Sequence, residues 1–457
     1  MTDPETTDLL VIGAGFSGLH AALLAQKAGL STIILEARER VGGRAERHRF
    51  ANGDTVDIGG QWVGPGQDRL YRWIEEAGFS TYPLYHRGDH LLKLGRRVRR
   101  YRGLVPPLPP HELLELHLAL SRFERLAASL DPERPQDHPD AGRLDRMTLD
   151  EWIRGNLHAR RTRRLFAIGI GAVFATSPEE LSLLHALFYA RSGGTLRALL
   201  DVENGAQQDR VHGDMAGLAE AMAATARREG VKILLDTPVE RLEWRDTGVL
   251  AHTPRGAVPA KRAICALPPN QLRRIRFAPA LPARRDRLWQ RMPAGRAIKC
   301  IAQYPRPFWR EQGLSGEAVG GNGPVQVMFD NTEAGRTAGL LMGFITGPAA
   351  DHWGAAPEEE RRAAVLNSFA EFFGDQARSP IDYVDRDWGA QEWTRGCYAA
   401  LMGPGTWTSY GDELRAPIGP LHFAGTETAR HWYGYFEGAL EAAERTAQEV
   451  REALAEA

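Results

Sequence analysis

The sequence contains few cysteines and no long apolar segment. Its 457 residues include only Cys265, Cys300 and Cys397, and no two of them form a CxxC motif. The odd number and the wide spacing argue against a disulfide framework or a cysteine-ligated cluster, so we expect no metal. No run of about 18 apolar residues occurs, and we therefore expect no membrane-spanning helix and no membrane partner.

The net charge of the chain is also close to zero. The chain has 57 basic and 58 acidic residues, which leaves a net charge of −1 and gives no reason to expect nucleic acid as a partner. The first ten residues are acidic and lack an apolar targeting core. Since three scattered cysteines suit a reducing compartment, the sequence predicts a cytoplasmic protein.

The N-terminal region reads as a strand, helix and strand around a glycine-rich turn. An apolar strand at Leu9 to Ile12 precedes a GxGxxG segment, a helix from about Ser17 to Lys27 and a second strand, STIILE. This order, ending in the acidic residue Glu36, is the complete βαβ unit of a dinucleotide site. A carboxylate at Glu36 can accept hydrogen bonds from ribose hydroxyls and disfavours the 2′-phosphate of NADP.

The glycines of this turn each have a physical task. Gly13 permits the tight turn, Gly15 lets the backbone approach a pyrophosphate, and Gly18 lets helix and strand pack closely. The helix N-terminus offers free N–H groups to the phosphates. Two further glycine pairs follow, in ARERVGGRA and DIGGQWVGP, where Arg44 can reach a pyrophosphate and Gly59 and Gly60 precede an aromatic residue. An NAD fold needs neither pair, so the sequence predicts FAD.

Several further motifs resemble those of the flavin-dependent amine oxidases, especially the monoamine oxidases. The resemblance covers both ends and the middle of the chain and is poorest at 85–165. Its motifs are ENGAQQDRVHGDMAGLAEAMA, TPVERLEW, AICALPPNQL, GRAIKCIAQYPRPFW, DWGAQEWTRGCYAALMGPGTW and HFAGTETARHWYGYFEGALEAAERTAQEV. The resemblance implies an enzyme that oxidises an amine with FAD and reduces O2 to hydrogen peroxide.

The resemblance also implies the fold. We expect an α/β protein in which a Rossmann-type FAD domain is interleaved with a substrate domain of mixed sheet and helices. The FAD domain would take 1–80, 205–290 and 385–457, and the substrate domain 81–204 and 291–384. A homodimer is compatible with this family.

The family's functional positions carry over as follows. Lys299 matches a lysine that holds a water beside flavin N5, and Tyr398 and Tyr435 match two tyrosines that face each other before the flavin. Substrate-binding positions are Gln207, Phe174, Leu199 (or its neighbour Leu200) and Val327. The cofactor-binding positions, from the turn and from the resemblance together, are Gly13, Gly15, Phe16, Ser17, Gly18, Glu36, Ala37, Arg38, Gly43, Arg44, Gly59, Gly60, Gln61, Trp62, Val239, Trp388, Cys397, Gly425, Thr426, Glu427 and Tyr435.

Cys397 has two readings. In the mitochondrial monoamine oxidases the cysteine before the first of these tyrosines is bonded through sulfur to the flavin, and GCY has the same order here. The alternative is a buried, unreactive thiol. We expect covalent FAD through Cys397 as one outcome and a tightly held, unbonded FAD as the other.

The type of amine stays open at this point. A primary, or secondary, monoamine is the main reading. No matched arginine is seen that would hold the carboxylate of an L-amino acid, and Asp330 is a candidate acid for a di- or polyamine. A flavin desaturase or isomerase, or a flavoprotein without catalysis, remains as a second alternative, against which Lys299 and the two tyrosines argue.

Overall fold

The computed structural model describes residues 6–103 and 105–456. Residues 1–5, 104 and 457, which fall within the predicted domain segments, lie outside the described residues. The strands, in chain order, are β1 Thr7–Ile12, β2 Thr32–Leu35, β3 Arg47–Arg49, β4 Thr55–Asp57, β5 Trp62–Val63, β6 Thr81–Pro83, β7 Asp89–Lys93, β8 Arg99–Tyr101, β9 Asp209–Val211, β10 Lys232–Leu234, β11 Arg241–Arg245, β12 Gly248–Thr253, β13 Gly256–Cys265, β14 Arg276–Ala278, β15 Ala297–Tyr304, β16 Leu314–Gly320, β17 Val327–Asp330, β18 Gly339–Thr346, β19 Asp382–Asp387 and β20 Leu421–Phe423.

Helices fill much of the remaining chain. They are α1 Phe16–Lys27, α2 Asp68–Glu76, α3 Pro110–Ala128, α4 Ala141–Arg146, α5 Leu149–Asn156, α6 Arg160–Phe174, α7 Leu183–Ser192, α8 Leu196–Leu200, α9 Asp214–Arg228, α10 Pro269–Leu272, α11 Ala283–Gln290, α12 Phe308–Glu311, α13 Pro348–Ala355, α14 Glu358–Phe373, α15 Thr406–Tyr410 and α16 Phe436–Ala455. No helix within the described ranges is both long and apolar enough to cross a membrane.

The first large sheet is built around the predicted βαβ unit. Its order is β10-β2-β1-β13-β12-β11-β14, with β20 paired to the second half of β13. Strands β10, β2, β1 and β13 run parallel, and β1 is buried along nearly its whole length. Apolar runs without alternation are typical of parallel strands covered on both faces. The helix α1 follows β1, as the sequence predicts.

The second large sheet is mostly antiparallel. Its order is β19-β15-β18-β17-β16-β7-β8, and β16 and β7 form its parallel pair. Strand β15, which lies between the edge strand β19 and β18, is buried at all eight positions, including Lys299. The α/β class, with a Rossmann-type sheet beside a mixed sheet and helices, is therefore confirmed. The two sheets draw their strands largely from different predicted segments, and the division into two domains stays a prediction.

Candidate active site

One cavity collects residues from both large sheets and from the loops between them. The predicted positions that line it are Gly13, Gly15, Phe16, Ser17, Glu36, Ala37, Arg38, Gly43, Arg44, Gly59, Gly60, Gln61, Trp62, Gln207, Val239, Lys299, Trp388, Cys397, Tyr398, Gly425, Thr426 and Tyr435. They come from distant parts of the chain. The fold therefore brings the dinucleotide motif and the C-terminal motifs to one place.

The glycine-rich turn forms one end of this cavity. A Cβ atom at Gly18 would overlap the carbonyl oxygen of Gly13, so close packing of α1 on β1 requires glycine there. Glu36 is 5% exposed, and its carboxylate accepts hydrogen bonds from the backbone N–H of Ala14 at 2.7 Å and of Arg38 at 3.0 Å. This anchors the carboxylate at the end of β2, beside the turn, where a ribose would lie.

An ion pair crosses the middle of the cavity wall. Arg44 donates to Glu427 at 2.7 Å and to the carbonyl oxygen of Tyr398 at 2.6 Å. Burial alone would lower the pKa of Arg44. The charge of Glu427 and its hydrogen bond outweigh this effect, so the pKa of Arg44 lies above its ordinary value. Glu427 is 1% exposed and does not line the cavity. It lies behind Arg44 and holds the guanidinium in place.

Lys299 is a buried lysine whose donors are all used. Its Nζ donates to the carbonyl oxygens of Asp57 at 2.8 Å and Gly59 at 2.9 Å and to Oε1 of Gln61 at 2.6 Å. Burial lowers the pKa of Lys299 to about 7, although the charge of Asp57 opposes this shift. The amine therefore fixes the backbone around Gly59 and Gly60, which forms part of the cavity wall.

Aromatic rings surround the remaining part of the cavity. Tyr398 packs edge-on against Phe344, with centroids 5.7 Å apart, and Tyr435 lies 6.3 Å from Tyr189. All four residues line the cavity. Burial raises the pKa of Tyr398 and of Tyr435 above that of free tyrosine, so both hydroxyl groups stay neutral at physiological pH.

Comparison with known proteins decides the family. Residues 16–451 match the profile of the flavin containing amine oxidoreductases. The chain belongs to this family. It is 40% identical over 447 residues to a Mycobacterium tuberculosis protein assigned the name flavin-containing monoamine oxidase AofH, an alignment that covers 98% of this chain and 97% of the relative.

Two solved structures of amine oxidases have the same fold. Putrescine oxidase bound to putrescine superposes with a TM-score of 0.93 at 33% identity, covering 98% of this chain and 99% of the other. Cyclohexylamine oxidase from Brevibacterium oxydans superposes with a TM-score of 0.92, at the same identity and coverage. The protein is thus an FAD-dependent amine oxidase, and the predicted family, enzyme class and cofactor are confirmed.

The cavity of this amine oxidase fits FAD. A Cβ at Gly60 would lie 2.7 Å from the ring of Phe436, and one at Gly59 would overlap the carbonyl oxygen of Arg44. Close packing against Phe436 and Arg44 therefore requires glycine at both positions, which leaves bare backbone in the cavity lining. The indole N–H of Trp62 is buried without a hydrogen-bond partner and belongs to the lining. The unpaired indole N–H beside exposed backbone would suit the planar ring system of FAD, which has hydrogen-bond acceptor atoms.

Cys397 and Trp388 lie in the same cavity. Trp388 donates its indole N–H to the carbonyl oxygen of Ile58 at 3.3 Å. Burial raises the pKa of the Cys397 thiol to about 11, while the charges of Arg44 and Lys299 lower it. Cys265 and Cys300 are fully buried elsewhere and do not line the cavity.

Three predicted substrate positions do not line the cavity. Phe174 is 1% exposed and packs against Tyr189, with centroids 4.7 Å apart. Leu199 is buried in α8, and Val327 lies on β17 opposite Phe344. Their neighbours Ala172, Val173, Tyr189 and Phe344 line the cavity instead. The sequence reasoning missed these four because apolar and aromatic residues in buried elements look like core.

The acid considered for a diamine also lies elsewhere. Asp330 is fully buried and accepts hydrogen bonds from the indole N–H of Trp309 at 2.8 Å and from Arg310 at 2.6 Å. It does not line the cavity. Asp330 therefore neutralises Arg310 and is unavailable to a second amino group of a substrate.

Proposed function

We propose that this enzyme oxidises primary monoamines with an apolar body, using O2 as the electron acceptor. The proposal rests mainly on which charged residues line the cavity. Among the described residues that line it, Glu36 is the single acid. Its carboxylate accepts hydrogen bonds from the backbone N–H groups of Ala14 and Arg38 beside the glycine-rich turn. The aromatic part of the cavity thus offers no carboxylate to a second ammonium group.

Each cation among the described residues that line the cavity is already hydrogen-bonded within the protein. Lys299 donates to three oxygen atoms, and Arg44 is paired with Glu427. Arg38 donates to Thr394, and Arg274 donates to the carbonyl oxygen of Glu392 at 2.6 Å. A buried charge without a partner is costly. This supports a monoamine over an L-amino acid.

We assign the positioning of the amine to Gln207 and the two tyrosines. Nε2 of Gln207 donates to the carbonyl oxygen of Leu199 at 2.9 Å, while Oε1 is buried without a partner. A buried acceptor that lacks a donor is unfavourable until a ligand supplies one. The amino group of a neutral amine has N–H donors for it. The faces of Tyr398 and Tyr435 would bound the approach path of that amine.

Different residues of the cavity would bind different parts of FAD. The backbone at Gly13, Gly15 and Gly43 with Arg44 would hold the pyrophosphate, and Glu36 the ribose. FAD, when bound, supplies the acceptor for a hydride equivalent, two electrons and one proton, from the amine α-carbon. Lys299, which fixes the backbone at Asp57 and Gly59 and the side chain of Gln61, keeps the wall next to the reacting end rigid. The product imine then hydrolyses to an aldehyde.

Substrate pairs that differ in one charge test the proposal. We expect kcat/KM for pentylamine to exceed that for cadaverine by about 100-fold or more, because the second amine must bury a charge or shed a proton. The kcat/KM for phenethylamine should exceed that for L-phenylalanine by a similar factor. Hydrogen peroxide release at fixed pH measures all four rates. Equal rates within either pair would show that the cavity accepts a second charged group and would contradict the proposal.

We also propose that Cys397 bonds to the 8α-methyl group of FAD. The thiol and a methyl C–H are replaced by a thioether, and the two electrons and two protons released pass to O2. Support comes from the position of Cys397 in the cavity lining beside Tyr398 and from the two cations that lower its pKa. Its burial, which raises that pKa, counts against a fast reaction.

Acid precipitation tests this bond. The precipitated wild-type protein should stay yellow, and Cys397→Ala should release all its flavin into the supernatant. Cys265→Ala is the matched control, since that thiol is buried away from the cavity and should leave the bond intact. Free flavin from the wild type would show that Cys397 is an unreactive buried thiol.

We further propose a cytoplasmic location. The three cysteines are free and buried, as suits a reducing compartment. Fractionation of the source cells, followed by immunodetection of the protein, tests the location. Recovery in a membrane or extracytoplasmic fraction would contradict it.

A further inference from the structure

Two histidines and a glutamate converge away from the cavity. His86 lies in the connection between β6 and β7, His90 on β7 and Glu317 on β16. Nδ1 of His86 is 2.6 Å from Oε1 of Glu317, and Nδ1 of His90 is 3.3 Å from Oε2 of the same carboxylate. One ligand atom from each residue lies within 4.8 Å of the others. A single carboxylate is thus shared by two imidazoles.

The backbone is shaped to bring these groups together. The parallel pairing of β16 with β7 is irregular, since Leu314 is opposite Asp89 and Ala318 is opposite Leu91. Three residues of β16, Ser315 to Glu317, therefore lie opposite the single residue His90 of β7. The bulge includes Gly316 at φ +82°, and a Cβ there would lie 2.5 Å from the Cβ of Asp330. Bulges re-aim side chains, and this one turns Glu317 toward the histidines.

We propose that His86, His90 and Glu317 bind a divalent transition metal, with Zn2+ as the best match. Two imidazole nitrogens and a carboxylate are a common protein donor set for Zn2+. In tetrahedral coordination, zinc bonds of about 2.0–2.2 Å place ligand atoms about 3.4 Å apart, so side-chain movements of about 1–1.5 Å would form the site. The side chain of His86 is 26% exposed, which leaves a path for the ion.

The surroundings favour a cation. Glu203 places Oε2 4.0 Å from Nε2 of His86, the ring nitrogen that would not bind the metal. This distance is longer than a hydrogen bond, and a small movement of the exposed Glu203 side chain would let it accept one from the ring N–H, as carboxylates do beside metal-bound histidines. Ser315 lies 2.9 Å from Nδ1 of His90 and can hydrogen-bond Glu317 or a metal-bound water once the ion is present. The carboxylates of Glu317 and Glu203 therefore give the neighbourhood a negative charge, and Ser315 is already within hydrogen-bond distance of His90.

The site is connected to the active-site cavity. Leu84, two residues before His86, donates its N–H to the carbonyl oxygen of Gln208 at 2.8 Å. The adjacent residue Gln207 lines the cavity, and Glu203 belongs to the same connection between α8 and β9. A metal on His86 would therefore fix the segment that carries Gln207. Zinc should change KM for the amine more than it changes kcat.

Metal binding by the FAD-loaded enzyme tests the proposal. After treatment with EDTA and desalting, the protein is titrated with Zn2+ against a chromophoric chelator, and with Co2+, whose absorption bands report imidazole and carboxylate ligation. We expect one equivalent in the wild type. Glu317→Gln and His90→Ala should weaken binding by roughly tenfold or more, since even outer-shell losses cost about 10–100-fold.

A matched control separates the site from ordinary histidine binding. His252 forms a hydrogen-bonded pair with Glu243 at 2.8 Å but has no second histidine beside it, so His252→Ala should bind zinc as the wild type does. Flavin absorbance and the unfolding temperature verify that each variant is folded. Equal zinc affinity in wild type, Glu317→Gln and His90→Ala would overturn the proposal, as would absence of binding in the wild type.

Discussion

Lys299→Met should retain FAD and lose most of its activity. The side chain of Lys299 is the common donor to Asp57, Gly59 and Gln61, which shape the wall of the cavity. Methionine fills a similar volume but leaves these three acceptors unpaired. We expect the rate of flavin reduction, of flavin reoxidation or of both to fall by about 100-fold or more, as is typical when a preorganised polar group at the reacting centre is lost.

Stopped-flow measurement of the two half-reactions locates the loss. Lys261→Met is the matched control, because Lys261 pairs with Asp8 at 2.8 Å and its side chain is 53% exposed. That variant should have wild-type rates. Wild-type rates in Lys299→Met would remove Lys299 from the catalytic machinery. Loss of bound FAD in that variant would show instead that the lysine serves cofactor retention.

Arg44→Met should destabilise the protein and weaken FAD binding. The partner of Arg44, Glu427, is 1% exposed and would be left with an uncompensated charge. Breaking a buried ion pair in this way costs about 3–5 kcal/mol. The side chain of Arg44 is 22% exposed, so we expect a loss near the lower limit, about 3 kcal/mol, in the protein without FAD.

Urea unfolding of the flavin-free protein measures this change, and flavin fluorescence measures release of FAD. Arg284→Met provides the control, since Arg284 pairs with Glu413 at the surface, where its side chain is 59% exposed. Exposed pairs contribute about 0–1 kcal/mol. Equal unfolding midpoints for Arg44→Met and Arg284→Met would show that Glu427 does not depend on Arg44.

The dinucleotide end could be predicted from local sequence. The order of β1, the turn, α1 and β2 is fixed by neighbouring residues, and the structure has α1 beginning at Phe16, one residue before the predicted Ser17. Glu36 follows β2 directly, so its place at the edge of the sheet follows from the strand that precedes it. The order of these elements depends on steric and hydrogen-bonding preferences of residues that are close in sequence, so it can be predicted from the sequence.

The aromatic part of the cavity could not be predicted in the same way. Val327 and Phe344 are direct neighbours across two strands, yet Phe344 lines the cavity and Val327 does not. Which of two adjacent apolar side chains borders a cavity depends on the tilt and packing of whole sheets. The cluster of His86, His90 and Glu317 depends on a strand pairing between distant segments and on a bulge, and neither leaves a mark in the local sequence.

Anaerobic mixing of the yellow, FAD-loaded enzyme with single amines tests the central claim most directly. Bleaching of the flavin absorbance reports electron transfer from the amine inside the cavity, without any contribution from O2. We predict rapid bleaching by phenethylamine, tyramine and benzylamine, and little or none by putrescine and L-amino acids. Bleaching by putrescine or L-amino acids but not by these monoamines would contradict the account.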